Sequence, residues 1–120
     1  MKILIADDSR VMRQIVSRTL RQAGFSGHEV IEASTGSEAL EMVYDESPDL
    51  VLSDWNMPGK SGIEVLDEMR SRGVQTPFGF VTSEGSAEMH ARAVDAGAAC
   101  IIVKPFTAEV FREALEPWLS

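Results

Sequence analysis

The sequence predicts a doubly wound α/β domain with five parallel strands and five helices. Five short apolar runs alternate with five stretches of helical spacing, joined by short loops. The runs at 3–6, 50–53 and 100–103 are almost continuously apolar, as strands covered on both faces are. Residues able to do chemistry follow the run ends: Asp7 and Asp8, then Asp54, Thr82 and Lys104. In a parallel sheet those ends share one edge, and open α/β folds bind ligands there. Right-handed crossovers place helices on both faces.

The first strand, 3–6, gives way to Asp7-Asp8-Ser9, where Asp8 or Ser9 can cap the first helix. Val11, Met12, Ile15, Val16, Thr19, Leu20 and Ala23 recur at helical spacing and predict an inward stripe, which Gly24 ends. Residues 29–33 are more polar, as an edge strand should be. A second helix follows over about 37–45, with Ala39, Leu40 and Val43 inward. The third strand, 50–53, delivers Asp54 to its tip before the chain turns at Pro58-Gly59. The third helix spans 62–70, with Ile63, Leu66 and Met69 on one side.

Pro77 precedes the fourth strand, 78–82, where Gly79 implies a close backbone approach from a neighbour. Ser86 caps a fourth helix that Gly97 stops. This helix carries little bulk beyond Met89 and Val94, so it is expected to be locally weak and mobile. The fifth strand, 100–103, leads into Lys104-Pro105-Phe106. Thr107 caps the last helix, with Val110, Phe111, Ala114 and Leu115 inward, and Pro117 is expected to end or kink it.

A chain of 120 residues is one domain's worth, and it buries roughly two-thirds of its unfolded surface. The net charge of −8 disfavours nucleic acid and anionic membrane as partners, because both attract basic faces. A lone cysteine, Cys100, excludes an internal disulfide and reads as a reduced core residue. The apolar run after Met1-Lys2 is too short for a signal peptide or a membrane span, so the expected location is cytoplasmic.

Three carboxylates in one cleft repel. Two unit charges about 4 Å apart cost about 4 kcal/mol at an effective dielectric near 20. Either one is protonated or a cation sits among them. Oxygen donors without nearby His or Cys favour Mg²⁺. Asp54, at the centre, can then attack phosphorus in line and form an acyl phosphate. Lys104 offers a point charge and Thr82 a hydroxyl donor to the phosphoryl oxygens.

The set Asp7-Asp8-Ser9, Asp54-Trp55-Asn56-Met57-Pro58-Gly59 with Gly62, Val81-Thr82 and Lys104-Pro105-Phe106 resembles the response-regulator receiver domains of two-component signalling. The stand-alone chemotaxis receivers are nearest in pattern, and the resemblance spans essentially residues 1–120. It implies the strand order 2-1-3-4-5, with Asp54 phosphorylated by a sensor histidine kinase or a small acyl phosphate. It implies Mg²⁺ held by Asp8, Asp54 and the carbonyl of Asn56, with Asp7 acting mainly through water. It also implies a cis peptide bond before Pro105, an isomer tolerable only before proline. Asn56 and Glu84 match positions that tune the lifetime of the acyl phosphate.

The resemblance also implies an output: a downstream effector bound to the face formed by the fourth helix, fifth strand and fifth helix, through a shift of a pre-existing equilibrium. One position departs from the pattern. The residue three before the lysine is usually aromatic, and here it is Ile101, which has neither ring nor hydroxyl.

Other readings fit less well. A nucleotide- or flavin-binding module needs a loop of N–H groups after the first strand, and Asp7-Asp8 repels phosphate unless a metal is bound. A haloacid-dehalogenase-like phosphohydrolase places its nucleophile after the first strand as Asp-x-Asp, whereas Asp7 is followed directly by Asp8. The intact acidic set argues against a receiver-like module that is never phosphorylated. A receiver excised from a larger regulator with a separate output domain is the remaining alternative.

Overall fold

A computed structural model describes residues 1–119. The elements run β1 (Lys2–Ala6), α1 (Arg10–Gln22), β2 (Glu29–Ala33), α2 (Gly36–Glu46), β3 (Leu50–Ser53), α3 (Gly62–Ser71), β4 (Phe78–Thr82), α4 (Ala87–Ala96), β5 (Cys100–Val103) and α5 (Ala108–Leu119). The sheet is ordered β2-β1-β3-β4-β5 and every pairing is parallel. Both the fold class and the strand order match expectation.

The sheet divides the core in two. Leu4, Ala6, Val51, Phe78 and Phe80 meet residues of α2, α3 and α4 on one face. Ile3, Ile5, Leu52, Val81 and Ile102 meet α1 and α5 on the other. Neighbouring residues of one strand thus serve opposite cores, which is why these strands read as unbroken apolar runs.

All five helices begin the same way. Ser9, Thr35, Ser61, Ser86 and Thr107 each accept a hydrogen bond from the N–H three residues on, a cap worth about 1 kcal/mol. Glu64 completes a capping box with Ser61. Ser9, rather than Asp8, caps α1, which leaves the Asp8 carboxylate free.

The inward stripes are narrower than expected. Val11 is 64% exposed, and Ile15 and Val110 also face solvent. α1 buries only Val16, Thr19 and Leu20, residues of its second half. Met12 packs partly buried against the core and, with Ile15, lines a groove of about 340 Å³ beside Lys104, Pro105 and Phe106. Pro117 does not end α5, which continues to Leu119. Glu113, whose carbonyl loses its partner to that proline, is exposed to water, while Leu119 is anchored in the core. At Gly79 the close neighbour is a side chain and not backbone: a Cβ there would lie 2.8 Å from Cys100 Sγ. Among the described residues, no helix is long and apolar enough to cross a membrane.

Candidate functional site

The sheet's own hydrogen bonding positions the site. Three parallel ladders extend one residue past the strands. Asp7 N–H donates to Ala33 O at 3.0 Å, Asp54 N–H to Ala6 O at 2.9 Å, and Lys104 N–H to Thr82 O at 2.8 Å. The backbones of the two acids and the lysine are therefore fixed before their side chains interact.

Lys104 Nζ lies 3.2 Å from Asp7 Oδ2 and 3.5 Å from Asp54 Oδ2. Asp7 Oδ1 accepts the Ser9 N–H at 2.9 Å, and Asp54 Oδ1 accepts the Trp55 N–H at 2.7 Å. Asp7 is buried, Asp54 half-buried and Asp8 exposed, so the cluster opens to water on the Asp8 side. Burial raises the Asp7 carboxyl above its ordinary value, although the Ser9 N–H and the Lys104 ammonium oppose that rise. The peptide bond between Lys104 and Pro105 is cis, as the resemblance implies.

One carboxylate oxygen from each of Asp7, Asp8 and Asp54 lies within 4.8 Å of the others. Three carboxylates against one ammonium leave a formal charge of −2 when all are ionised. Hard oxygen donors, a double negative charge and an opening to water fit a small divalent cation of the Mg²⁺ type.

The structure thus brings Asp7, Asp8, Asp54 and Lys104 together. Thr82 sits at the adjoining strand end, fully buried, and its hydroxyl oxygen accepts the Glu84 N–H at 3.3 Å rather than meeting Asp54. Asn56 is exposed in the loop after Trp55. Trp55 packs on Phe80, with ring centroids 4.7 Å apart, and so closes one flank of the cluster.

Two glycines hold that loop. A Cβ on Gly62 would fall 2.2 Å from Asp54 O, and the Gly62 N–H donates to Trp55 O at 2.8 Å. A Cβ on Gly36 would fall 1.9 Å from Lys60 O. The start of α2 therefore abuts the loop's far end and the start of α3 its near end. Gly62 is visible in the sequence as part of the Asp54 motif. Gly36 carries no such signal, because its neighbour lies 24 positions along the chain.

The acids and the lysine thus converge at the C-terminal edge of a 2-1-3-4-5 sheet, the edge at which open α/β folds bind ligands. A family model for the response regulator receiver domain matches residues 3–116, and the chain belongs to that family. It is 41% identical over 118 residues to the chemotaxis protein CheY of Pseudomonas aeruginosa, covering 97% of this chain and 94% of that one. It is 39% identical over 120 residues to CheY1 of Helicobacter pylori, covering 97% and 94% of the two chains. The structure of Vibrio cholerae CheY4 superposes with a TM-score of 0.85 at 37% identity, covering 98% of each chain. The chain is a CheY-like receiver, a signalling switch and not a conventional enzyme.

Proposed function

We propose that Asp54 is the phosphoacceptor of this receiver and that a sensor histidine kinase supplies the phosphoryl group. An oxygen of the Asp54 carboxylate attacks phosphorus. The P–N bond of the donor phosphohistidine breaks, its electron pair stays on the imidazole, and an acyl phosphate remains on Asp54. The observation carrying this reading is the shared ammonium: Lys104 bridges Asp7 and Asp54, so a cationic group already stands where phosphoryl oxygens would arrive. Asp7, Asp8, Asp54 and the carbonyl of Asn56 would hold Mg²⁺, which would offset the charge of the incoming phosphoryl oxygens.

Thr82 is the responding residue. Its hydroxyl engages the Glu84 N–H at rest and turns to the phosphoryl group when one is present, moving the loop before α4. The face of α4, β5 and α5 then binds the effector. Val94, Val103 and Val110 are exposed on those three elements. Ile101 packs into the core on the α2–α4 side, so any relay through it works by packing and not by a hydroxyl group. Exposed Asn56 and Glu84 tune hydrolysis by orienting water. Residues 1–120 form one receiver domain, acting in the cytoplasm and apart from nucleic acid and membrane.

The test is incubation with acetyl phosphate and Mg²⁺, followed by intact-mass measurement. One phosphoryl adduct is expected on the wild-type chain and none on Asp54→Asn. An adduct that survives in Asp54→Asn moves the acceptor to another residue.

A further inference from the structure

Asp7 is gripped from four directions, and one grip is a side chain from outside the cluster. The Arg13 guanidinium, carried by α1, donates from Nη1 to the Asp7 carbonyl at 2.6 Å and from Nε to Glu32 Oε1 at 2.7 Å. Glu32 lies on edge strand β2, in register with Ile5. β2 therefore holds the Asp7 residue on both sides: Ala33 O takes its N–H directly, and Glu32 secures its carbonyl through the arginine. Arg13 is largely buried, its side chain 13% exposed. Arg10, Arg18 and Arg21 lie on the same helix, and among the described residues none of them pairs with an acid.

We propose that Arg13 is a positioning residue for the acidic cluster, strapping the β1–α1 turn to β2 so that Asp7 and Asp8 stay aimed at Asp54. This rests on reading the cluster as a divalent-cation site. The planar guanidinium fork is suited to the task, because it binds two acceptors at a fixed angle. Residues that orient ligands from behind typically change metal affinity by about 10- to 100-fold when lost.

Charge and position predict opposite signs. Deleting a cation near three carboxylates makes the cluster more attractive to Mg²⁺ by Coulomb's law. Deleting a strap makes it less so.

The experiment titrates Mg²⁺ into wild type, Arg13→Gln, Arg13→Lys and Arg18→Gln, following the fluorescence of Trp55. Trp118, at the opposite end of the sheet beside Pro77 and Ala99, supplies a constant background. Arg13→Gln is expected to bind Mg²⁺ about tenfold more weakly. Arg13→Lys should recover part of the loss, and Arg18→Gln should match wild type. Unchanged or tighter binding in Arg13→Gln overturns the proposal. Should Arg13→Gln fail to fold, Glu32→Gln, which leaves Arg13 in place and weakens its anchor, is expected to bind Mg²⁺ more weakly than wild type, and wild-type affinity there overturns the strap.

A second arm needs no metal. Amide exchange at Ser9, whose N–H donates to Asp7 Oδ1, should quicken in metal-free Arg13→Gln while the α1 amides keep their rates. Unchanged exchange at Ser9 also overturns the proposal. A wild-type chain without a saturable Mg²⁺ response overturns the cation reading instead, and Ser9 exchange still decides the role of Arg13.

Discussion

α3 and α4 are each ten residues long, each capped by a serine, and each packed on the same face of the sheet. α3 buries five residues, Gly62, Ile63, Val65, Leu66 and Met69, whereas α4 buries only Ala93. The loop into α3 is wedged between two glycines, while residues 83–88 leading into α4 are all exposed. The helix that follows Asp54 is thus an anchor, and the helix that follows Thr82 is loosely held. A switch needs both: a fixed reaction centre and an adjoining element that moves at low cost.

Truncating each helix is the most forceful way to break this contrast. Met69→Ala should lower unfolding free energy by about 2–5 kcal/mol in urea titrations. Val94→Ala, at a side chain 70% exposed, should change it by under about 0.5 kcal/mol. Amide exchange should rank the helices the same way, with α4 faster. Equal costs for the two substitutions would remove the distinction.

Gly36→Ala comes next. Its Cβ would overlap the Lys60 carbonyl, so destabilisation of about 3 kcal/mol is expected. A weaker Mg²⁺ response should accompany it, because the loop between Asp54 and α3 must shift.

The third test sharpens the contrast at its boundary, since β5 is tight at its base although α4 above it is not. Burial pushes the Cys100 thiol up to about 11 from its ordinary 9.0. Below pH 9 the thiol is neutral in folded and unfolded chains alike. As pH rises from 9 to 11 the unfolded chain releases that proton and the fold retains it, so stability falls, by about 2–3 kcal/mol at the upper end. Cys100→Ala should lack this component, which denaturant titrations of both proteins at pH 8 and pH 10.5 would separate. The wild-type thiol should also react slowly with a disulfide reagent at pH 8.

Local features made the strands and the acidic tips legible. An apolar run followed by Asp54 and a Pro58-Gly59 turn needs no knowledge of distant residues. The misreadings have one physical root. Periodicity counts apolar side chains but not what lies beneath them, so Val11, Ile15 and Val110 are placed inward although the structure exposes them. Pro117 reads as a stop because its missing bond is local, whereas the Leu119 contact that carries the helix past it is distant. Gly36 and Arg13 carry no signal at all. One is defined by a carbonyl on another loop, the other by the reach of a long side chain across two elements.

The bond from the Trp55 N–H to Asp54 Oδ1 makes the two acceptor oxygens inequivalent. Oδ1 has a lone pair committed to the main chain, whereas Oδ2 faces the ammonium of Lys104. Any electrophile or cation that approaches Asp54 thus meets a carboxylate already desymmetrised by its neighbours. That asymmetry is written into the backbone of the residue that follows it.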